Sequence, residues 1–273
     1  MKKTLGTPLL PQGKATVAVS KNAVKVISAL KKANTEMFEI PENQKLELSV
    51  SSHADCNILQ LDRNTFITDK TSALLLSDLF KRNNIVNYLT IGQEKEKINF
   101  SRNDEKVNII VEELSSPYPD EVKINVKKTE KAIVCNTKYV SESIKAYAET
   151  YGIDLIHCNQ GYVGCSSVLI TDNAVMTDDE SVYSSFHRIG FDCLMLSKGQ
   201  IKLSGHSYGF IGGACGFIDK NLLAFTGSLN THIDAEKIKQ FLNKYNVSYI
   251  ELTDEPLTDV GGIVPILEEK IDR

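Results

Sequence analysis

One stretch of this chain occurs twice in near-identical outline. Residues 56–69, CNILQLDRNTFITD, and residues 165–178, CSSVLITDNAVMTD, each open on a cysteine, run through an apolar strand and turn on Asp and Asn. Each then returns through a second short strand to a closing Thr-Asp. Opening cysteine and closing aspartate are 13 residues apart in both. An amphipathic stretch follows each copy, with Leu75, Leu76, Leu79 and Phe80 on one face in the first and Val182, Phe186 and Ile189 in the second, the spacing of a helix that buries one side. A third apolar run closes each unit, at residues 86–91 and 193–197. A strand–strand–helix–strand unit of this size cannot hide its apolar surface alone, so such units must pack side by side.

The same plan is legible elsewhere. A copy starting near residue 121 has strands at 122–126 and 132–136, a helix over 139–151 and a closing strand at 154–158. Another starts at GFIGGACGFID, with strands at 214–218 and 222–227, a helix carrying Ile238, Phe241, Leu242 and Tyr245 behind Asp234, and a closing strand at 248–252. The first copy is incomplete: it has a strand at 16–20, a helix with Ala23, Ile27 and Leu30, and a strand at 37–40, but no opening strand. One strand is left over at the tail, in Gly261-Gly262-Ile263-Val264-Pro265-Ile266. Head and tail would therefore share one unit, closing a ring of five and removing open sheet edges. The expected fold is a five-fold pseudosymmetric α/β propeller of ββαβ units. It forms one domain over residues 1–273, with an inserted hairpin or extra strands at about 92–114 and another short strand at 200–204.

Composition excludes several classes. Acids and bases are interspersed at a net charge of −4 with no basic stripe, so no nucleic-acid partner is expected. No run of about 18 apolar residues exists to span a membrane. The segment MKKTLGTPLLPQGK lacks the apolar core of a secretory leader, and a cytoplasmic protein is expected. Its six cysteines then read as reduced thiols rather than a disulfide frame. No CxxC pair points to zinc, so neither a metal nor a cofactor is expected. Lysines 95, 97, 127, 128 and 131 read as a solvated surface.

Five such units with the chain ends sharing one resemble the pentein fold, that of the guanidino-group-modifying enzymes: arginine deiminases, amidinotransferases and dimethylarginine dimethylaminohydrolases. The fold also serves a ribosome-binding translation factor. The segments HCNQGYVGCS, GFIGGACG and PLTDVGGIVP look like an uncharacterised bacterial family of this fold. The resemblance implies a central pocket for a small guanidino or amidine compound. It also implies a cysteine nucleophile after a glycine-rich turn near the C-terminus, where this chain has Ile263-Val264-Pro265-Ile266 after Gly261-Gly262 and no later cysteine.

A cysteine nucleophile acts as thiolate and needs a histidine or similar partner, and a guanidinium is gripped by carboxylates in a fork. Cys56, Cys165 and Cys215 each open a first strand and should point to the ring axis. His53, Asp55, Asp120, His157, His206 and Asp259 lie in or before the loops leading there. The catalytic candidates are Cys165, with the richest polar surroundings, His157 and Cys215. The ligand-binding candidates are Asp55, Gln160, Tyr162, His206, Gly213 and Asp259. Each has a plain structural alternative: a buried space-filling thiol, a satisfied histidine, a turn aspartate or a tight glycine turn. Asp69 and Asp178 read as helix caps. Three functions stay open: a binding protein that kept the pocket without the usual cysteine, a cysteine-dependent hydrolase or transferase acting on C–N bonds through Cys165 or Cys215, and a macromolecule-binding protein.

Overall fold

A computed structural model describes residues 2–85, 88–93 and 106–269, and these form a mixed α/β architecture of five small sheets. The chain begins with β1 (Lys2–Thr4), β2 (Ala15–Ser20), α1 (Val24–Lys32) and β3 (Glu36–Ile40). A four-residue helix, α2 (Ala54–Asn57), leads into β4 (Ile58–Asp62), β5 (Thr65–Thr68), α3 (Lys70–Arg82), β6 (Tyr88–Gln93) and β7 (Lys106–Val111). The third sheet has β8 (Lys127–Lys128), β9 (Ala132–Cys135), α4 (Glu142–Tyr151) and β10 (Asp154–His157). The fourth has β11 (Ser167–Thr171), β12 (Ala174–Thr177), α5 (Glu180–Arg188) and β13 (Asp192–Met195). The fifth has β14 (Cys215–Asp219), β15 (Leu222–Phe225), α6 (Ala235–Lys244) and β16 (Ser248–Glu251), and β17 (Val264–Glu269) ends the described chain.

Every sheet is built on one plan, an antiparallel pair followed across a helix by a parallel third strand. The repeat extends to register. Ile58 faces Thr68, Ser167 faces Thr177 and Cys215 faces Phe225. Each of these ladders slips by one residue just before its turn, at Gln60/Asp62, Leu169/Thr171 and Phe217/Asp219. Side-chain bonds repeat too: Thr68 Oγ1 donates to the Asn57 carbonyl at 2.6 Å and Thr177 Oγ1 to that of Ser166 at 2.7 Å. The pair β17–β2 has the same plan although its strands come from opposite ends of the chain. Val264 faces Ala18, Pro265 faces Val17, a slip follows before Leu267, and β3 lies parallel to β2. The tail thus supplies the strand that the head lacks.

Helix faces match the apolar spacing. Val26, Ile27 and Leu30 of α1, Leu76, Leu79 and Phe80 of α3, Ile144 and Tyr147 of α4, Val182 and Phe186 of α5, and Ile238, Phe241 and Leu242 of α6 are buried. Each such side chain contributes roughly 1.5–3 kcal/mol. Asp69 caps α3, accepting from the amides of Thr71 and Ser72, whereas α5 is capped by Asp179 and not by Asp178.

Several boundaries differ from the sequence reading. Of the closing strand expected at 86–91, residues 86 and 87 lie outside those described, and the rest, in β6, does not close the second unit: β7 pairs with β5, and β6 lies outside it, parallel to β7. These two strands do not form a hairpin, and residues 94–105 lie outside those described. The strand expected at 122–126 is replaced by a short 3-10 turn, Asp120–Val122, and the two-residue β8. Residues 200–204 make only an isolated bridge, Lys202 with Thr258. An N-terminal strand, β1, joins β17 antiparallel. Lys127 and Lys128 are buried rather than solvated, because β8 occupies a first-strand position in the packed interior. No described helix is long and apolar enough to cross a membrane.

Candidate functional site

The repeats bring three loops together ahead of their first strands. His53 precedes α2, and α2 is pinned from both sides. The Asp55 amide donates to the Gly261 carbonyl at 3.0 Å, and Asn57 Nδ2 donates back to the His53 carbonyl at 2.8 Å. In the tail loop, Asp259 accepts from the amides of Phe210 at 2.9 Å and Gly261 at 3.0 Å. Two glycines permit this approach. A Cβ on Gly213 would lie 1.9 Å from Asp259 Oδ1. Gly261, at φ +82°, passes so close to His53 that a Cβ would lie 2.3 Å from it.

The result is a buried thiol–imidazole–carboxylate centre. His53 Nδ1 stands 3.6 Å from Asp259 Oδ1, an ion-pair separation too long for a hydrogen bond. His53, Asp55 and Cys56 offer nitrogen, oxygen and sulfur atoms all within 4.8 Å of one another. Cys56 and Cys165 place their Sγ atoms 3.7 Å apart, and both thiols are free. Burial pulls the His53 imidazole down, but the neighbouring Cys56 thiol and the carboxylates of Asp259 and Asp55 more than offset that, and its pKa is raised to about 9. Burial pushes the other thiols up: Cys165 well above the ordinary range, with its bond to Cys56 adding to the rise, and Cys215 to about 12.

Beneath this centre lie two small cavities of about 50 and about 40 Å³, both lined by Leu9, Asp55, Lys127, Gly164, Val264 and Pro265. Each has room for a few waters, well below the several hundred Å³ of a ligand pocket. Both carboxylate oxygens of Asp55 are buried there without a hydrogen-bond partner. Lys127 Nζ donates to the Gly164 carbonyl at 2.8 Å, and burial pushes its pKa down to about 8 against the pull of Asp55, Cys165 and Cys215. On the other side Val50, Tyr162 and Phe210 pack over Cys56 and Cys165.

The chain matches the Family of unknown function (DUF6873) over residues 18–264. It belongs to that family. None of the curated proteins matches it in sequence. Among solved structures it is similar to the agmatine deiminase of C. jejuni, at 12% identity and a TM-score of 0.51, over 92% of this chain and 91% of that one. It is also similar to a Cys-to-Ser variant of that deiminase with substrate bound, at 12% identity and a TM-score of 0.50, over 93% and 91%. At such identity the likeness is one of fold, and it supports a pentein-like fold for this DUF6873 member.

Of the candidates named from sequence, Asp55, Cys165, Cys215, Gly213 and Asp259 come together around this centre. His157 does not join them: its Nδ1 meets Thr137 Oγ1 at 2.8 Å and its Nε2 meets Asn159 Oδ1 at 3.2 Å. His206 is tied to Ser49 Oγ at 2.9 Å and Glu47 Oε1 at 3.1 Å. Gln160 bonds Asp179 and the Tyr162 amide. Tyr162 donates its hydroxyl to Glu121, and burial with that carboxylate raises its pKa. Cys215 gives its thiol to the Ile211 carbonyl at 3.3 Å. The imidazole beside the thiols is His53, and the thiol grouped with it within 4.8 Å is Cys56. Asn125 and Lys127 were not singled out by sequence. Lys127 carries one usable signal, its place at the start of a first strand, where the repeat buries its residues.

Proposed function

We propose that the five sheets form a closed five-unit pentein ring, one domain in residues 1–273, and that its centre acts on a C–N bond of a small guanidino or amidine compound. The observation that supports this is the His53 imidazole set between the Cys56 thiol and the Asp259 carboxylate, a nucleophile, a base and an orienting group. In this reading the nucleophile is Cys56, not Cys165 or Cys215, because its sulfur lies within 4.8 Å of an imidazole nitrogen. Its thiolate attacks the amidine carbon, a C–S bond forms, and the leaving amine departs with the proton of His53. Water then cleaves the C–S bond and restores the thiol. Asp55, with both oxygens unpartnered, accepts the N–H fork of the bound cation. The likeness in fold to agmatine deiminase supports the substrate class.

The test is ammonia release and intact-mass analysis with agmatine, arginine and acetamidine as probes. Turnover, or an adduct on Cys56 that is absent in Cys56→Ser and reduced in His53→Gln, is expected. Absence of both with all three probes sinks the catalytic reading. A binding protein without turnover is the second reading. It is favoured by the 2% exposure of Cys56 under its aromatic cover, and probe-induced thermal stabilisation without ammonia release identifies it.

A further inference from the structure

The sequence offers no zinc motif, yet the centre contains a donor set of that kind. We infer that His53, Asp55 and Cys56 form a three-ligand site for a zinc-class divalent ion, with a fourth position open toward Cys165. The inference does not depend on turnover of any guanidino compound.

Geometry carries it first. The three donor atoms lie within 4.8 Å of one another on the single turn that His53 and α2 form. A tetrahedral zinc with ligand bonds of about 2.0–2.3 Å spaces its ligands roughly 3.3–3.8 Å apart, so about 1 Å of rotamer adjustment gathers them. The second observation is Asp55. A buried carboxylate with neither oxygen hydrogen-bonded is costly, and a cation is the partner that resolves it. Third, Asp259 stands 3.6 Å from His53 Nδ1, which leaves Nε2 to ligate, and a shift of about 0.5 Å would give that nitrogen the carboxylate partner common behind a zinc-bound imidazole. Sulfur, imidazole nitrogen and one carboxylate form a borderline-soft set, suited to zinc rather than magnesium or calcium.

Cys165 Sγ lies 3.7 Å from Cys56 Sγ, close to the roughly 3.8 Å between two thiolates on one tetrahedral zinc, and so stands beside the open position.

The experiment is titration of the metal-free 273-residue chain with Zn²⁺ against a chromophoric chelator, and with Co²⁺ by absorption. One ion per chain is expected, with a thiolate-to-cobalt charge-transfer band. Affinity should fall about 100-fold or more in Asp55→Asn and in Cys56→Ser, beyond the loss from an outer partner. Cys193→Ser, a thiol outside the centre, should bind as the parent does. Should Cys56→Ser not fold, the near-isosteric Asp55→Asn decides. No stoichiometric binding, or an ion indifferent to Asp55→Asn, overturns the site. Binding and turnover are read separately, so failure of either leaves the other standing.

Discussion

Asn125 holds Cys165 at two points: its Nδ2 donates to Cys165 Sγ at 3.0 Å, and its Oδ1 accepts from the Cys165 amide at 3.2 Å. The same Nδ2 lies 3.3 Å from the Asp55 carbonyl and 3.6 Å from Cys56 Sγ. One buried amide therefore ties the second repeated segment to the first at the place where the thiols meet. Asn125→Leu would leave the Cys165 amide buried and unpaired, at a cost of about 1–3 kcal/mol. A lowered urea midpoint with unchanged slope is expected, and an unchanged midpoint would deny Asn125 this role.

His53 makes stability depend on pH with a definite sign. Its pKa is raised from 6.5 to about 9 on folding. The folded state therefore holds the proton more tightly than the unfolded chain, and the stabilisation is complete below about pH 6.5 and lost as pH rises through about 9. Lys127, pushed down from 10.5 to about 8, acts oppositely, adding stability as pH rises from about 8 toward 10.5. The contribution of His53 is isolated by comparison with His53→Gln. The difference in unfolding free energy should be largest below about pH 6.5, on the order of 3 kcal/mol, and should shrink toward pH 9. A difference that grows with pH would refute the assignment.

Gly213 and Gly152 should respond differently to the same substitution. At Gly152 the obstacle is backbone alone: it sits at φ +61° after α4, with no atom within 4 Å of an added Cβ. Gly152→Ala should cost about 1–2 kcal/mol, the strain of a left-handed alanine. At Gly213 the added Cβ meets the Asp259 carboxylate at 1.9 Å, so Asp259 must leave the Phe210 and Gly261 amides and His53. Gly213→Ala should cost about 3 kcal/mol or more and should lower the imidazole pKa of His53, read by NMR. Equal costs at the two positions would show that Asp259 has room to move.

Much of the architecture was legible because the repeat is written in short-range terms. A cysteine, an apolar run, an Asp/Asn turn and a closing Thr-Asp recur at fixed spacing, and the structure repeats them down to the threonine-to-carbonyl bond at Thr68 and Thr177. Head-to-tail sharing was legible by subtraction, since one strand lacked a partner at each end. The centre was legible only as a set of loops. Which histidine meets which thiol depends on how far one loop reaches over its neighbour. That distance is set by contacts such as Asp55 to Gly261, remote in sequence. His157 has dense polar surroundings in sequence, yet its partners are local, Thr137 and Asn159. Lys127 was misread because charge is normally a sign of solvent, and β8 is too short to show alternation.

The aromatic cover supplies the last prediction. Phe210 lies 6.0 Å from the ring of Tyr162, Tyr162 lies 6.3 Å from Tyr118, and Phe210 and Tyr162 pack on Val50, Cys56 and Cys165. The hydroxyl of Tyr162 is anchored on Glu121, so Phe210 is the ring without such an anchor and the one to remove. Phe210→Ala should speed iodoacetamide alkylation of Cys56 by about tenfold or more at neutral pH, as about 1.4 kcal/mol or more of local opening cost disappears. Cys135 is an internal reference: it lies in a separate core cluster, and burial pushes its thiol up to about 12. Peptide mass mapping should show Cys56 modified first, with Cys135 unchanged from the parent. If the two thiols accelerate together, the substitution has loosened the whole fold. If Cys56 does not accelerate at all, the rings are not what closes the centre.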